Sequence, residues 1–204
     1  MKNKISSLII ILTLFCCNYQ VTKSQNAKQI NPEVTISNIN HEQTELEHTI
    51  KVDKVYIGMT IDELKNIYSN SEFIEEPVYE FGIDGESNGL VIKQENERLF
   101  FVWTLQGENK IHGITIISNS LTIDQNVHVG MSLKEFHNKY PNLKVNIDMT
   151  DNRYEYLYVP ELNYRVEFLT TDTTRIAEYK FDQVEPEFKR IKRPYATVDR
   201  ISIK

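Results

Sequence analysis

Cysteine is almost missing from this chain of 204 residues: Cys16 and Cys17, adjacent and near the start, are the only two. Everything after them folds without a disulfide and without a cysteine-ligated metal. Glycine, at 7, and proline, at 6, are also scarce, which excludes a collagen-like repeat and long low-complexity linkers. Bases are in deficit, with 23 Lys and Arg against 29 Asp and Glu and a formal net charge of −6. A protein that coats nucleic acid needs a basic surface, so no nucleic-acid partner is expected. No apolar run reaches the roughly 20 residues of a membrane-spanning helix. What remains is a chain with 40% hydrophobic and 25% charged residues, the balance of a globular protein of one domain or two small ones.

The start of the chain carries an address. Lys2 and Lys4 precede a mostly apolar run from Ile5 to Phe15, the n-region and h-region pattern of a secretory signal. As a helix, eleven residues rise only about 16 Å, half of a bilayer core. Leu14-Phe15-Cys16-Cys17 resembles a bacterial lipobox, with a small residue before the acceptor cysteine. Cys17 is therefore the expected lipidation site and residues 1–16 the signal peptide. Acyl chains on Cys17 hold a protein on a membrane through about 0.8 kcal/mol per buried CH₂. Asn18 after the cysteine favours the outer membrane by analogy with enteric sorting. Residues 17–50 are polar without a sustained apolar period and read as the lipidated cysteine and a flexible tether.

Beyond the tether a segment recurs. Ile57-Gly58-Met59-Thr60-Ile61-Asp62-Glu63-Leu64-Lys65-Asn66-Ile67-Tyr68 returns 72 residues later as Val129-Gly130-Met131-Ser132-Leu133-Lys134-Glu135-Phe136-His137-Asn138-Lys139-Tyr140, with five of twelve positions identical. Thr60 with Glu63, and Ser132 with Glu135, have the spacing of a helix capping box. Met59 to Leu64 and Met131 to Phe136 have the spacing of a hydrophobic staple. Gly58 and Gly130 precede the caps, where a sharp turn favours positive φ. The first helix is expected to run on through Ser69-Asn70-Ser71-Glu72; the second stops at Pro141.

After each helix the apolar period changes to two. Residues 78–83, 90–94, 99–105 and 111–117 are expected strands of the first copy; 154–159, 164–169, 175–181 and 197–203 are those of the second. The expected fold class is α+β, a tandem repeat of a capped helix followed by about four antiparallel strands. The first repeat spans 51–123 and the second 124–204.

The Gly-Met-Thr/Ser-x-x-Glu string at Gly58-Met59-Thr60 with Glu63, and at Gly130-Met131-Ser132 with Glu135, resembles the SmpA/OmlA (BamE) family of small outer-membrane lipoproteins. The doubled unit resembles the tandem repeats of β-lactamase-inhibitor-protein-like folds, the closer match. Both resemblances imply a non-catalytic task, the binding of other proteins.

An enzyme is not expected. Gly-x-Ser-x-Gly, His-Glu-x-x-His, a phosphate loop and a Cys–His couple beyond the signal are all missing, and no cofactor is implied. His112, His128 and His137 are scattered, and Glu75-Glu76 reads as a solvated acidic loop. One segment matches a metal template. Asp84, Glu86 and Asn88 with Glu95 at the twelfth position follow the calcium-loop spacing, but strands flank them where helices belong. Asp-Gly and Asn-Gly are hairpin-turn residues, so a tight acidic hairpin is the preferred reading over a metal site.

Charge is uneven along the chain. Residues 72–98 are acidic and 185–204 basic. Phe188, Lys189, Arg190, Lys192, Arg193 and Tyr195 form a basic stretch with interleaved apolar groups, a candidate partner-binding surface. Tyr154, Tyr156 and Tyr158 share one strand face, which reads as core or sheet packing ahead of a recognition platform. The functional expectation is an envelope lipoprotein that binds envelope proteins non-catalytically. The alternative is an inhibitor or immunity protein against a hydrolase or toxin, centred on the acidic loop 84–89; a calcium-dependent binder ranks third.

Overall fold

Strand-forming residues with alternating burial dominate the chain beyond residue 70, and they set its architecture. The computed structural model describes residues 50–182 and 186–204; the expected signal peptide, Cys17 and nearly all of the tether lie outside the described residues. In chain order the elements are β1 (Lys51–Val52), β2 (Val55–Tyr56), α1 (Ile61–Ile67), β3 (Glu72–Pro77), β4 (Asn88–Gln94), β5 (Glu97–Thr104) and β6 (Ile111–Ile116). Then come β7 (Thr122–Ile123), β8 (Val127–His128), α2 (Leu133–Lys139), β9 (Asn146–Ile147), β10 (Tyr154–Val159), β11 (Tyr164–Leu169), β12 (Ala177–Lys180), β13 (Glu187–Ile191) and β14 (Arg200–Ile203).

Eight of these strands make one antiparallel sheet in the order β3-β4-β5-β6-β14-β11-β10-β9. The expected α+β tandem of two helix-plus-four-strand modules is therefore corrected. The described chain is mostly β, with two seven-residue α-helices laid on a single large sheet. The physical reason lies at its centre. β6 and β14 pair with each other through Ile201–Ile116, Ser202–Thr115 and Ile203–Ile114, so the edge that each half would leave open is closed by the other. The sheet thus runs across the expected boundary at residues 123 and 124. β12 and β13 leave the sheet and pair only with each other.

The helix entries form as local chemistry dictates. The Thr60 hydroxyl accepts from the Glu63 amide, and the Glu63 carboxylate accepts from the Thr60 amide at 2.9 Å; Ser132 and Glu135 repeat this. Gly58 (φ 92°) and Gly130 (φ 88°) take the left-handed turn just before each cap. Their amides donate to Ile111 and to Val198 respectively, both at 2.8 Å, which anchors each turn to the other end of its own half. Hydrogen bonding to Thr60 holds the Glu63 carboxyl below its ordinary range, and Ser132 does the same for Glu135. The first helix does not run on to residue 72. It ends at Tyr68, whose hydroxyl donates to Asp53 at 2.7 Å, and Glu72 opens β3.

Both helices cover the same face. Leu64, Phe136, Phe100, Leu157, Val166 and Ile201 belong to the main core between helices and sheet, where each large side chain contributes about 1.5–3 kcal/mol by leaving water. The opposite face carries a smaller cluster of Val78, Phe81, Val91 and Phe101. It exists because residues 78–81, expected as a strand, form one tight helical turn instead. Pro77 starts that turn and Gly82 (φ 69°) ends it, so Val78 and Phe81 point to the same side and onto the sheet. The strand that precedes it, β3, pairs along its length with β4; its acidic residues sit on a sheet edge, where charge discourages further strand pairing.

Candidate binding face

The register of the sheet decides which polar side chains lie away from the helices. Leu157, Val166 and Ile201 face the main core, so their neighbours Tyr156, Tyr158, Arg165, Glu167, Arg200 and Ser202 face the other way. At the β3–β5 end this second face is covered by the 78–81 turn, with the Phe81 and Phe101 rings stacked 3.7 Å apart and 6° from parallel. At the β10–β14 end it is built from ions and aromatics.

Glu167, fully buried, sits at the centre of that end. Its Oε1 accepts from Arg165 Nε at 2.6 Å and its Oε2 pairs with Arg200 Nε. Arg165 Nη1 reaches Asp148 Oδ2 at 2.9 Å. Asp148 is itself fixed, its Oδ1 accepting from the amides of Thr150 (2.9 Å) and Asp151 (3.1 Å). Two guanidinium groups and two carboxylates thus alternate and cancel. Removing one member of such a buried set leaves an uncompensated charge at a cost of about 3–5 kcal/mol. The guanidinium groups also carry the aromatics: Arg200 lies 3.7 Å from the Tyr154 ring centroid and Arg165 5.2 Å from that of Tyr156. Arg200 Nη1 donates to the Glu80 carbonyl at 3.3 Å, which ties the covering turn to the second half of the sheet. Its Nη2 lies directly under Gly82, 2.8 Å from where a Cβ would stand.

Beside this network lies a cleft of about 390 Å³ whose walls include Asn146, Tyr156, Tyr158, Asn163, Arg165 and Lys204. Tyr158 is 42% exposed and its hydroxyl donates to Asn163 Oδ1 at 2.8 Å. Asn163 Nδ2 in turn donates to the Lys204 carbonyl. Burial, and then the nearby Arg165 charge, hold the Lys204 amine below the ordinary lysine range. The face thus presents tyrosine and arginine, residue types that are enriched at protein interfaces.

The residues singled out from sequence are distributed differently. Cys17 lies outside the described residues. Gly58, Thr60, Glu63, Gly130, Ser132 and Glu135 form the two helix entries on the opposite side of the sheet. The basic stretch lies on and just after the outlying hairpin, with Lys189, Arg190, Lys192, Arg193 and Tyr195 exposed. Lys189 and Arg190 lie on β13, and both pair with Glu178 on β12, at 3.5 and 2.8 Å. Phe188 packs against the main core, Arg193 donates to the Thr174 carbonyl at 2.8 Å, and Lys134 sits 5.4 Å from the exposed Tyr195 ring. Lys192 is left exposed at the end of the hairpin. The calcium spacing does not close into a loop. Asp84 and Glu86 precede β4, Asn88 is its first residue, and Glu95 follows its last. A seven-residue strand of about 23 Å separates them. Among the described residues no group of three or more His, Cys, Asp or Glu is arranged to hold a metal.

The tyrosine stripe packs in part on the sheet, Tyr154 against Arg200 and Tyr156 against Arg165. Tyr154, Tyr156 and Tyr158 do share a face, but it is the face turned away from the main core, and Tyr158 stands in solvent. The available signal was the intervening set Glu155, Leu157 and Val159: two apolar residues in that alternation already claim the core side. Arg165, Glu167 and Arg200 went unnoticed because no local spacing links β11 to β14. No helix among the described residues is long and apolar enough to cross a membrane. Comparison with known proteins yields no relative: no family model, no curated protein and no solved structure matches this chain.

Proposed function

We propose that this chain is a membrane-anchored envelope lipoprotein that binds other proteins without catalysis. The observation that carries the reading is the sheet face turned away from the helices, where the buried Asp148–Arg165–Glu167–Arg200 network fixes Arg165 against the Tyr156 ring and Asn163 holds the Tyr158 hydroxyl. Side chains fixed in this way lose little entropy on docking, and tyrosine and arginine supply most of the energy of protein interfaces. The lipobox resemblance at Cys17 supports the anchoring, and the resemblance of the repeated helix entry to envelope lipoproteins and inhibitor-like proteins supports the non-catalytic role.

The test uses the full chain, extracted in detergent, as bait for envelope proteins. Wild type should retain a partner in defined stoichiometry, and a Tyr156→Ala, Tyr158→Ala double variant with unchanged melting temperature should not. Equal retention by both, or none by either, refutes the reading. Incorporation of labelled fatty acid in wild type and its loss in Cys17→Ser tests the anchor separately. A second reading, an inhibitor of a hydrolase or toxin, is favoured by the fully exposed acidic stretch 84–88. It requires retention to depend on Asp84 and Glu86 instead of the tyrosines.

A further inference from the structure

The helix side of the sheet, opposite the tyrosine face, carries a basic patch. Where the outlying hairpin ends, the Lys192 and Arg193 amides donate to the Ile176 carbonyl at 2.7 and 3.1 Å. The chain then meets the start of α2, where the Lys134 amide donates to the Pro194 carbonyl at 2.7 Å. The Lys134 ammonium stands 5.4 Å from the centre of the Tyr195 ring, which is 72% exposed. Lys134, Lys192 and Arg193 are exposed, and none of them makes an ion pair among the described residues. Nearby acids are already engaged. Lys189 and Arg190 share the carboxylate of Glu178, Glu187 lies opposite Lys180 at the far end of the hairpin, and the Glu135 carboxylate is held by Ser132. The positive charge of Lys134, Lys192 and Arg193 is therefore unanswered, in a chain whose net charge is −6.

Place and chemistry together say what covers the patch. Ile50, where the described chain begins, packs against the main core between helices and sheet. The polypeptide coming from Cys17 thus joins the domain on this same side, and an acyl anchor on Cys17 brings headgroups towards it. The side chains suit such a surface. Lys134 and Lys192 hold no hydrogen-bond partner through their amines among the described residues, unlike Arg165, which two carboxylates fix. A rigid protein partner would have to order these long stems at an entropic cost, whereas mobile lipid phosphates arrange themselves around mobile cations. Each Lys or Arg close to an anionic leaflet raises the affinity about fivefold. An exposed tyrosine completes the set, because its ring settles at headgroup depth with the hydroxyl towards water.

We infer that Lys134, Lys192, Arg193 and Tyr195 dock on the anionic phospholipid headgroups of the membrane that holds Cys17. The inference rests on the anchoring reading above and adds an orientation to it. With the helix side on the membrane, Tyr156 and Tyr158 on the other face of the sheet are turned away from the lipid and towards partners.

The experiment uses the full chain, extracted in detergent and reconstituted into vesicles of phosphatidylcholine alone, or of phosphatidylcholine and phosphatidylglycerol in a two-to-one ratio. Lysines are acetylated with a water-soluble reagent and the rate at each is read by mass spectrometry. Lys134 and Lys192 should react several-fold more slowly on the anionic vesicles, Lys204 equally on both, and raised salt should abolish the difference. Lys134→Gln should lower the docked-to-free ratio, read at Lys192, about fivefold, and Lys192→Gln, read at Lys134, should do the same; both variants should melt with wild type. Equal reactivity of the two lysines on both kinds of vesicle overturns the inference. So does protection that appears only when envelope proteins are added, which assigns the patch to an acidic protein. If labelled fatty acid is incorporated at Cys17 but neither lysine is protected, this inference falls while the anchoring reading stands. If no fatty acid is incorporated, both fall.

Discussion

Glu155 offers the sharpest test of how the outlying hairpin is attached. This carboxylate is fully buried on β10, on the helix side of the sheet, and makes no ion pair among the described residues. It accepts three hydrogen bonds: from the amides of Ile176 at 2.8 Å and Ala177 at 3.2 Å, and from the Tyr179 hydroxyl at 2.7 Å. All three donors lie where the chain leaves the main sheet to form β12 and β13. Glu155→Gln keeps the volume but turns one oxygen into an NH₂ donor. In its better orientation the remaining oxygen keeps Ala177 and Tyr179, and the NH₂ faces the Ile176 amide. The loss is one charge-assisted bond, about 1.5–3 kcal/mol, and one buried amide left unsatisfied, about 1–3 kcal/mol. Relief from burying a charge offsets part of that, for a net cost of about 3 kcal/mol. Tyr179→Phe removes a single donor and should cost about 1.5 kcal/mol; Glu155→Ala removes the acceptor altogether and adds a cavity, for about 5 kcal/mol.

Urea unfolding followed through Trp103, the single tryptophan, measures these differences, provided that the slope with denaturant stays constant. For a domain of this size a loss of 3 kcal/mol lowers the melting temperature by about 6–12 °C. The expected order is Tyr179→Phe, then Glu155→Gln, then Glu155→Ala, with faster amide exchange at Ile176 and Ala177. If Glu155→Gln is as stable as wild type, the desolvation of the carboxylate outweighs its three bonds, and the hairpin is held by Tyr179 and Phe188 packing instead.

Three further outcomes follow from the same geometry. Thr60→Ala and Ser132→Ala should each cost about 1 kcal/mol by urea titration, since each removes one capping acceptor, and the double variant should show the sum because the two caps share no partner. Gly89→Ala should cost about 3 kcal/mol, because its Cβ would lie 2.4 Å from the Val102 carbonyl oxygen and 2.3 Å from Phe101; Gly107→Ala, with φ +80° and open space around it, should cost only about 1 kcal/mol. Alkaline unfolding should begin above pH 10. Burial first, and then hydrogen bonding to Asp53, Tyr140 and Glu155 respectively, raise the phenols of Tyr68, Tyr164 and Tyr179 above the ordinary value of 10.0. A raised folded-state pKa contributes stability that is complete below 10 and is lost as the pH climbs beyond it. A spectrophotometric titration in which these phenols ionise near 10 without unfolding would contradict that.

What was legible in the sequence is what is decided within a few residues. The capping boxes at Thr60 and Ser132 are interactions between positions three apart, so the string Thr/Ser-x-x-Glu states them in full. Most of β4, β5, β6, β10 and β11 follows from alternation. The failures share a different cause. Glu72–Pro77 has no clean alternation, and it became a strand because Phe73, Ile74 and Glu75 find partners in Ile92, Val91 and Leu90. Val78, Phe81 and Ile83 alternate imperfectly and became a cover for the sheet because Pro77 and Gly82 bracket a turn. Lys189 and Arg190 are exposed, and that both pair with Glu178, eleven and twelve residues earlier, follows only from the ladder between β12 and β13.

The candidate face is the extreme case of the same limit. Arg165 and Glu167 are two residues apart on one strand, which any alternation rule places on one side. That pattern alone reads as a wet strand face. The pairing Glu167–Arg200 in the ladder between β11 and β14 turns it into a buried ion network, and a sequence separation of 33 residues hides it. A slip of one residue in that ladder that set Ile201 opposite Glu167 would turn Ile201 out of the main core and onto the ionic face. The network and the main core therefore specify the same register from opposite faces of the sheet. The placement of Tyr156, Tyr158 and Lys204 is inherited from that register. The candidate face is thus a property of strand pairing within the second half, between β11 and a β14 that follows it 33 residues later, which is why no short stretch of sequence announces it.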